Sequence, residues 1–325
     1  MAKIAVRSAD ALGAILTITF PIYAAIAIGY VIVRKGWFSS DEMRSFGKYV
    51  LNIALPALLF NAVASRDIAE VFHPGYMASY TLGGLATIVI TFVWFSITKQ
   101  SKPRRAIAIL GSSSPNSGFI GYPLMLLTFP EIAGLVLALN MLVELVVLIP
   151  ICLVIMDMSR DGEHASIVRQ IGTNFLSVLK RPMVIGLLAG LLASALQVPV
   201  PDVVDRLFTM IAASASALSL IVIGGSLVGL PLRGNRLLAT QIASAKLFLH
   251  PALVFVAAVS LPLIGLPTLS PQMFAAVILS AAISMFGIYT VLAQEHGQEG
   301  LASIAMLIAT SGAFFTLSAL LLILT

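Results

Sequence analysis

Residues 106–129 form one apolar run that contains its own interruption. AIAIL leads into SSSPNSGFIGYP, and LMLLTF follows. A run of this length is enough to cross a bilayer, which takes about 20 residues. Pro115 has no N–H of its own, and its ring crowds the carbonyl of Gly111, four residues back. Pro123 does the same to Phe119. In hydrocarbon every backbone polar group needs an internal partner. Such a break therefore persists only where protein buries it or where it lines a wet cavity. The run predicts two half-helices meeting inside a membrane.

The rest of the chain fits that setting. Hydrophobic residues make up 59% and charged residues 10%, against about 25% charged in a soluble domain. Mean hydropathy is +1.03. No hydrophilic stretch is long enough for a separate soluble domain. A net charge of +5 does not point to nucleic acid, because the basic residues flank apolar segments as topology signals do. Cys152, the single cysteine, excludes an internal disulfide framework and reads as a small packing residue. The first apolar segment, 12–33, is too long for a cleaved signal.

Hydropathy predicts an all-α polytopic membrane protein with ten transmembrane helices. They fall at 12–33, 43–64, 74–97, 105–128, 132–156, 177–197, 204–230, 237–265, 272–294 and 300–324. The charged connection 157–176 divides the chain into five-helix units, 1–156 and 177–325. Alternating the sides of the connections puts fourteen Lys and Arg on one side and four on the other, with Lys246 inside a span. The basic-rich side is the cytoplasm. Both termini then lie outside, and the membrane is an inner (plasma) membrane. An odd number of spans per half inverts one half relative to the other. GFIGYPL in the fourth span and MFGIYTVL in the ninth align Phe119 with Phe286 and Tyr122 with Tyr289. Inverted repeats place their binding site near the midplane, on discontinuous helices.

NIALPALLF in the second span, SSPNSGFIGYP in the fourth, KLFLHPALVF in the eighth and LAQEHG closing the ninth resemble, in this order, the auxin efflux carrier (PIN-like) family. That family includes plant carriers and bacterial carriers of malonate and other acids. The resemblance covers nearly the whole chain. It implies two inverted five-helix repeats whose broken helices cross, an architecture similar to that of the sodium–bile acid symporters. It also implies a substrate role for Asn116, the asparagine of the motif. Family members often have a proline in the ninth span as well. Here that stretch reads ILSAAISMFGIYT, and only Ser280, Ser284 and Gly287 are left to loosen it. A mild break or a continuous helix is expected there.

The candidate substrate site is Asn116 with Ser114, Pro115, Ser117 and Gly118, faced by Ser284 and Gly287. An Asn side chain offers two donors and an acceptor. The amides after the break form the positive end of a half-helix, which suits an anion. Alternatively, Asn116 only satisfies the broken backbone. Four residues are coupling candidates. Glu144 lies mid-span with Asn140 one turn earlier; it is either a proton-coupling acid or a neutral acid bonded to a neighbour such as Asn140. Lys246 and His250 share a helix face. Lys246 either attracts an organic anion or snorkels about 13 Å to the cytoplasmic surface, and His250 reads as a packing residue. Asn52 and Pro56 read as a structural kink. Gly186/Gly190 and Gly225/Gly229 read as close-packing faces suited to helix contact or a homodimer.

No nucleotide-binding loop, HExxH or GxSxG elbow occurs, and the four histidines lie in different segments. No enzyme, cofactor or metal site is therefore expected. The predicted function is a secondary transporter of a small carboxylate by alternating access, with proton or sodium coupling or none. The alternatives are a sodium-coupled organic-anion symporter, or a channel or receptor on the same scaffold.

Overall fold

The computed structural model describes residues 2–64, 66–159 and 179–325. Most of the charged connection placed at 157–176, with Arg160, His164 and Arg169, lies outside them. Among the described residues the regular secondary structure is all helical, with no strand. Seven helices are long and apolar enough to cross a membrane. In chain order the main helices are α1 (Ala2–Arg34), α2 (Ser40–Ala64), α3 (Pro74–Ile97), α4 (Lys102–Ser113), α5 (Ser117–Thr128) and α6 (Ala133–Asp157). They continue with α7 (Pro182–Ala195), α8 (Asp202–Ser226), α9 (Arg236–Val259), α10 (Pro271–Ala282), α11 (Tyr289–Gln294) and α12 (Glu299–Leu324). Several ends fall inside the hydropathy limits. The eighth span stops at Val259, because Pro262 opens a 3₁₀ turn that Gly265 closes at φ 77°.

Two packing groups emerge. In the first, α1 runs along α8, α2 along α7, and α8 also packs on α2. Glycines let these backbones nearly touch. A Cβ on Gly224 would lie 1.8 Å from the carbonyl oxygen of Ile26, and one on Gly186 would lie 2.5 Å from that of Pro56. Gly186 and Gly190 thus pack inside the chain, on α2, rather than offering a face to a second copy. Gly225 meets the side chain of Met43, and Gly229 follows the end of α8 at φ 75°. In the second group, α3 packs along α9, α4 on α3, and α9 on α12. Between the groups, α8 lies against the start of α5.

Four prolines leave the same mark. A single π-turn occupies Val50–Ala54, Ser117–Gly121, Glu144–Leu148 and Ala245–Leu249, ending two residues before Pro56, Pro123, Pro150 and Pro251. In each case the residue just before the proline donates its N–H five residues back. Proline cannot donate, so the helix widens to use the acceptors that remain. The carbonyl of Phe119, freed by Pro123, accepts from Ser219 Oγ of α8 at 3.0 Å. Three of these turns carry Ser117, Glu144 and Lys246, and so set where those side chains point.

Candidate functional site at the paired helix breaks

The fourth span breaks where its prolines require. α4 ends at Ser113, Ser114 is extended, and Asn116 opens α5. The side-chain Oδ1 of Asn116 accepts from Phe119 N at 3.2 Å, an N-cap. Its backbone carbonyl accepts from Ile120 and Gly121.

The ninth span also breaks, and fully. This corrects the expectation of a mild break or a continuous helix. α10 stops at Ala282, Ile283 is extended (φ −71°, ψ 161°), and α11 begins at Tyr289. No proline is involved; partners hold the break. Asn116 N donates to Ser284 O at 3.0 Å and Phe286 N to Ser114 O at 3.2 Å, so Pro115 and Met285 form an antiparallel bridge. Each break supplies the hydrogen bonds that the other lacks, as backbone in a bilayer demands.

A polar ladder fixes both breaks to α3 and α6. Tyr80 Oη donates to Glu144 Oε1 at 2.7 Å, and Ser117 Oγ donates to the same oxygen at 2.5 Å. One turn away, Tyr76 Oη donates to Asn140 Oδ1 at 2.8 Å, and Asn140 Nδ2 donates to Ser280 Oγ at 3.0 Å. Glu144 is thus held by two hydroxyls and not by Asn140. Tyr76 and Tyr80 are neighbours of the candidate site that the sequence alone did not single out. They sit four residues apart on α3, matching the four-residue spacing of Asn140 and Glu144 on α6, and that paired spacing was the available signal.

Lys246 does not snorkel. It is fully buried. Its Nζ donates to the carbonyl of Ala281 in the last turn of α10 at 2.5 Å and lies 2.9 Å from His250 Nδ1. Which of the two donates depends on the imidazole tautomer. The buried Nε2 of His250 has no partner, and the ring lies 6.2 Å from that of Tyr80. Among the described residues no ion pair joins Lys246 to Glu144.

The other candidates divide. Ser114, Ser117 and Gly118 are buried beside Asn116. Ser284 Oγ accepts from Thr310 of α12 at 3.2 Å. Gly287 is exposed, with open space where a Cβ would point. Two polar groups at the first break have no partner although buried: Asn116 Nδ2 and Ser114 Oγ. An apolar groove of about 610 Å³, lined by Phe248, Phe255 and Phe315 among others, opens elsewhere, between α9, α10 and α12. It offers almost no polar group to a solute.

Fold and site together define a polytopic helical membrane protein built around two broken helices joined back to back. The chain belongs to the membrane transport protein family, whose model matches residues 14–321. It is 29% identical over 213 residues to the uncharacterized transporter YfdV of Escherichia coli (strain K12), covering 63% of this chain and 66% of that protein. A putative malonate transporter of Rhizobium meliloti (strain 1021) is 23% identical over 245 residues, 74% of this chain and 75% of the relative. Auxin efflux carrier component 7 of Arabidopsis thaliana is 28% identical over 137 residues, 41% of this chain and 21% of that carrier. Its relatives thus include bacterial transporters and plant auxin efflux carriers.

Proposed function

We propose that the chain is a secondary transporter that carries a small carboxylate by alternating access, with the anion bound at the first break. One observation carries this reading: Asn116 Nδ2 is a buried donor with no partner, at the positive end of a half-helix. An unmade buried donor costs about 1–3 kcal/mol, and a carboxylate oxygen would relieve that cost. Ser114 Oγ, the second orphan, flanks the same proline. The amides of Ser117 and Gly118 complete the positive end. A neutral or cationic solute would gain less there. The relative named as a putative malonate transporter is consistent with a carboxylate.

The architecture follows in the same reading. Counting each broken pair as one span, and α7 as another, brings the described spans to ten. Exchanging the two halves turns the α1–α8 contact into α7–α2, and the α4–α3 contact into α10–α9, all of which occur. That correspondence supports two inverted repeats, 1–156 and 177–325. In this scheme α1, α2, α7 and α8 form the scaffold. The helices around the breaks form the part that moves, gliding on the α8–α5 contact. The basic-rich loops face the cytoplasm of an inner-membrane protein, with both termini outside. A channel is disfavoured, because Asn116, Ser117 and Glu144 are 3%, 1% and 3% exposed and no polar stripe runs through them.

Thermal unfolding of purified protein across a panel of carboxylates, neutral solutes and amines tests this. A ligand specific to the folded state raises stability by mass action. The expected result is a shift with one carboxylate class that Asn116→Ala loses. Shifts confined to neutral or cationic solutes would remove the anion reading.

A further inference from the structure

Four oxygens at the second break already accept hydrogen bonds. Ala281 O accepts from Lys246 Nζ, Ser284 O from Asn116 N, Ser280 Oγ from Asn140 Nδ2 and Ser284 Oγ from Thr310 Oγ1. These are the carbonyl and hydroxyl oxygens that a sodium ion would recruit at a broken helix. The C-terminal end of α10 is also its negative pole, with its last carbonyls lacking intrahelical partners. The buried Nζ of Lys246 rests on that pole. The first break differs: there the orphaned groups remain open.

We propose that Lys246 is a positioning residue, a cation built into the chain that holds the broken end of α10 and takes the place of a soluble coupling cation, so that substrate binding is independent of sodium. Three observations converge on it. Lys246 is a lysine with no exposure, reached from a different helix, on the carbonyl three residues before Ser284. His250, one turn along α9, places Nδ1 2.9 Å from Nζ, and its buried Nε2 has no partner. The one polar contact of the ring is therefore with Lys246. Finally, the break has no proline and no glycine at its start, so partners must hold it; Lys246 is the charged one among them. By fixing Ala281, Lys246 fixes Ser284, whose carbonyl receives Asn116 N. The side chain therefore reaches the candidate substrate site through one backbone segment.

The part of this inference that concerns substrate rests on the carboxylate reading above, and the test separates the two. Full-length protein is compared in sodium and in choline buffers as wild type, Lys246→Ala and Lys246→Met, with propylammonium and tetramethylammonium as probes. Lys246→Ala leaves a slot of the lysine's shape beside Ala281. Propylammonium is expected to raise the unfolding temperature of Lys246→Ala and not that of wild type. Tetramethylammonium, equally charged but without an N–H donor, is expected to do nothing. Wild-type affinity for the carboxylate found in the panel should agree within about twofold between sodium and choline. Lys246→Met, which keeps the stem volume, should weaken it at least about tenfold, the worth of one charged hydrogen bond. A sodium requirement in wild type, or wild-type affinity in Lys246→Met, overturns the proposal. If no carboxylate binds wild type, the anion reading falls, and the propylammonium arm alone decides whether Lys246 holds the break. An indifferent Lys246→Ala then overturns it. Should Lys246→Ala fail to fold, an unfolding temperature for Lys246→Met equal to wild type overturns it instead.

Discussion

Asn116→Ser separates the two jobs of one side chain. Asn116 caps α5 through Oδ1, which accepts from Phe119 N at 3.2 Å, while Nδ2 is buried without a partner. Serine ranks with asparagine as an N-cap, so the cap, worth about 1 kcal/mol, is largely kept. Removing the orphaned amide also removes a buried donor that costs about 1–3 kcal/mol. The ligand-free protein should therefore be as stable as wild type, or more stable by about 1 kcal/mol. Binding should move the other way. A hydrogen bond to a charged carboxylate contributes about 1.5–3 kcal/mol, which corresponds to affinity weaker by about 10- to 150-fold. Unfolding temperatures without ligand, and the dissociation constant of the stabilising carboxylate by titration calorimetry, give both quantities. If Asn116 only satisfies the backbone, Asn116→Ser binds as wild type does. That result would refute a substrate role for Nδ2.

Other parts of the site make separate expectations. Glu144→Gln keeps an acceptor for Tyr80 and Ser117, so the protein should assemble and bind. If Glu144 carries a coupled proton, uptake into proteoliposomes should lose its response to an imposed proton gradient; an unchanged response removes Glu144 as the coupling acid. Tyr80→Phe strips one of two donors from that buried carboxylate and should destabilise by about 1–3 kcal/mol in thermal unfolding. Gly224→Ala places a methyl 1.8 Å from a backbone oxygen of α1 and should cost about 3 kcal/mol or more, seen as lost monodispersity in size-exclusion chromatography. Gly287→Ala, where nothing lies within 4 Å, should be silent in the same assay.

What the sequence made legible followed from local physics. Apolar runs located the seven long helices, and Pro115 located the first break, because a missing N–H acts at its own position. Asn140 and Glu144 were visible as polar residues inside an apolar run. Their partners were not, because Tyr76 and Tyr80 pass for ordinary aromatic residues and lie 64 positions away. Lys246 was only partly legible for a related reason. Distance along the helix suggested a side chain that could reach the surface. The π-turn at Ala245–Leu249 and the carbonyl of Ala281, 35 positions on, draw it inward instead. Gly186 and Gly190 were read correctly as a contact face, but α2 occupies it. Small residues announce a close neighbour without saying which.

The two breaks therefore differ in origin, and the difference is testable outside the protein. The first is written into its own segment, where Pro115 and Pro123 each delete a donor. The second has no such deletion. Residues 271–294 contain no internal proline beyond the first position, and the donors that replace intrahelical bonds at Ala281 and Ser284 come from α9 and from Asn116. Without them, each freed carbonyl in an apolar medium would lack a partner at a cost of several kcal/mol. A continuous helix avoids that cost. A peptide of residues 268–297 in detergent micelles should then be helical through 283–288, with the amide of Gly287 bonded to Ile283. A peptide of residues 100–130 should remain interrupted at Pro115. Backbone chemical shifts and sequential amide contacts by NMR distinguish the two states. An interruption at Ile283 in the isolated peptide would mean that local sequence, not Asn116 and Lys246, breaks α10. The assignment of Lys246 as the residue that holds the second break would then lose its physical basis.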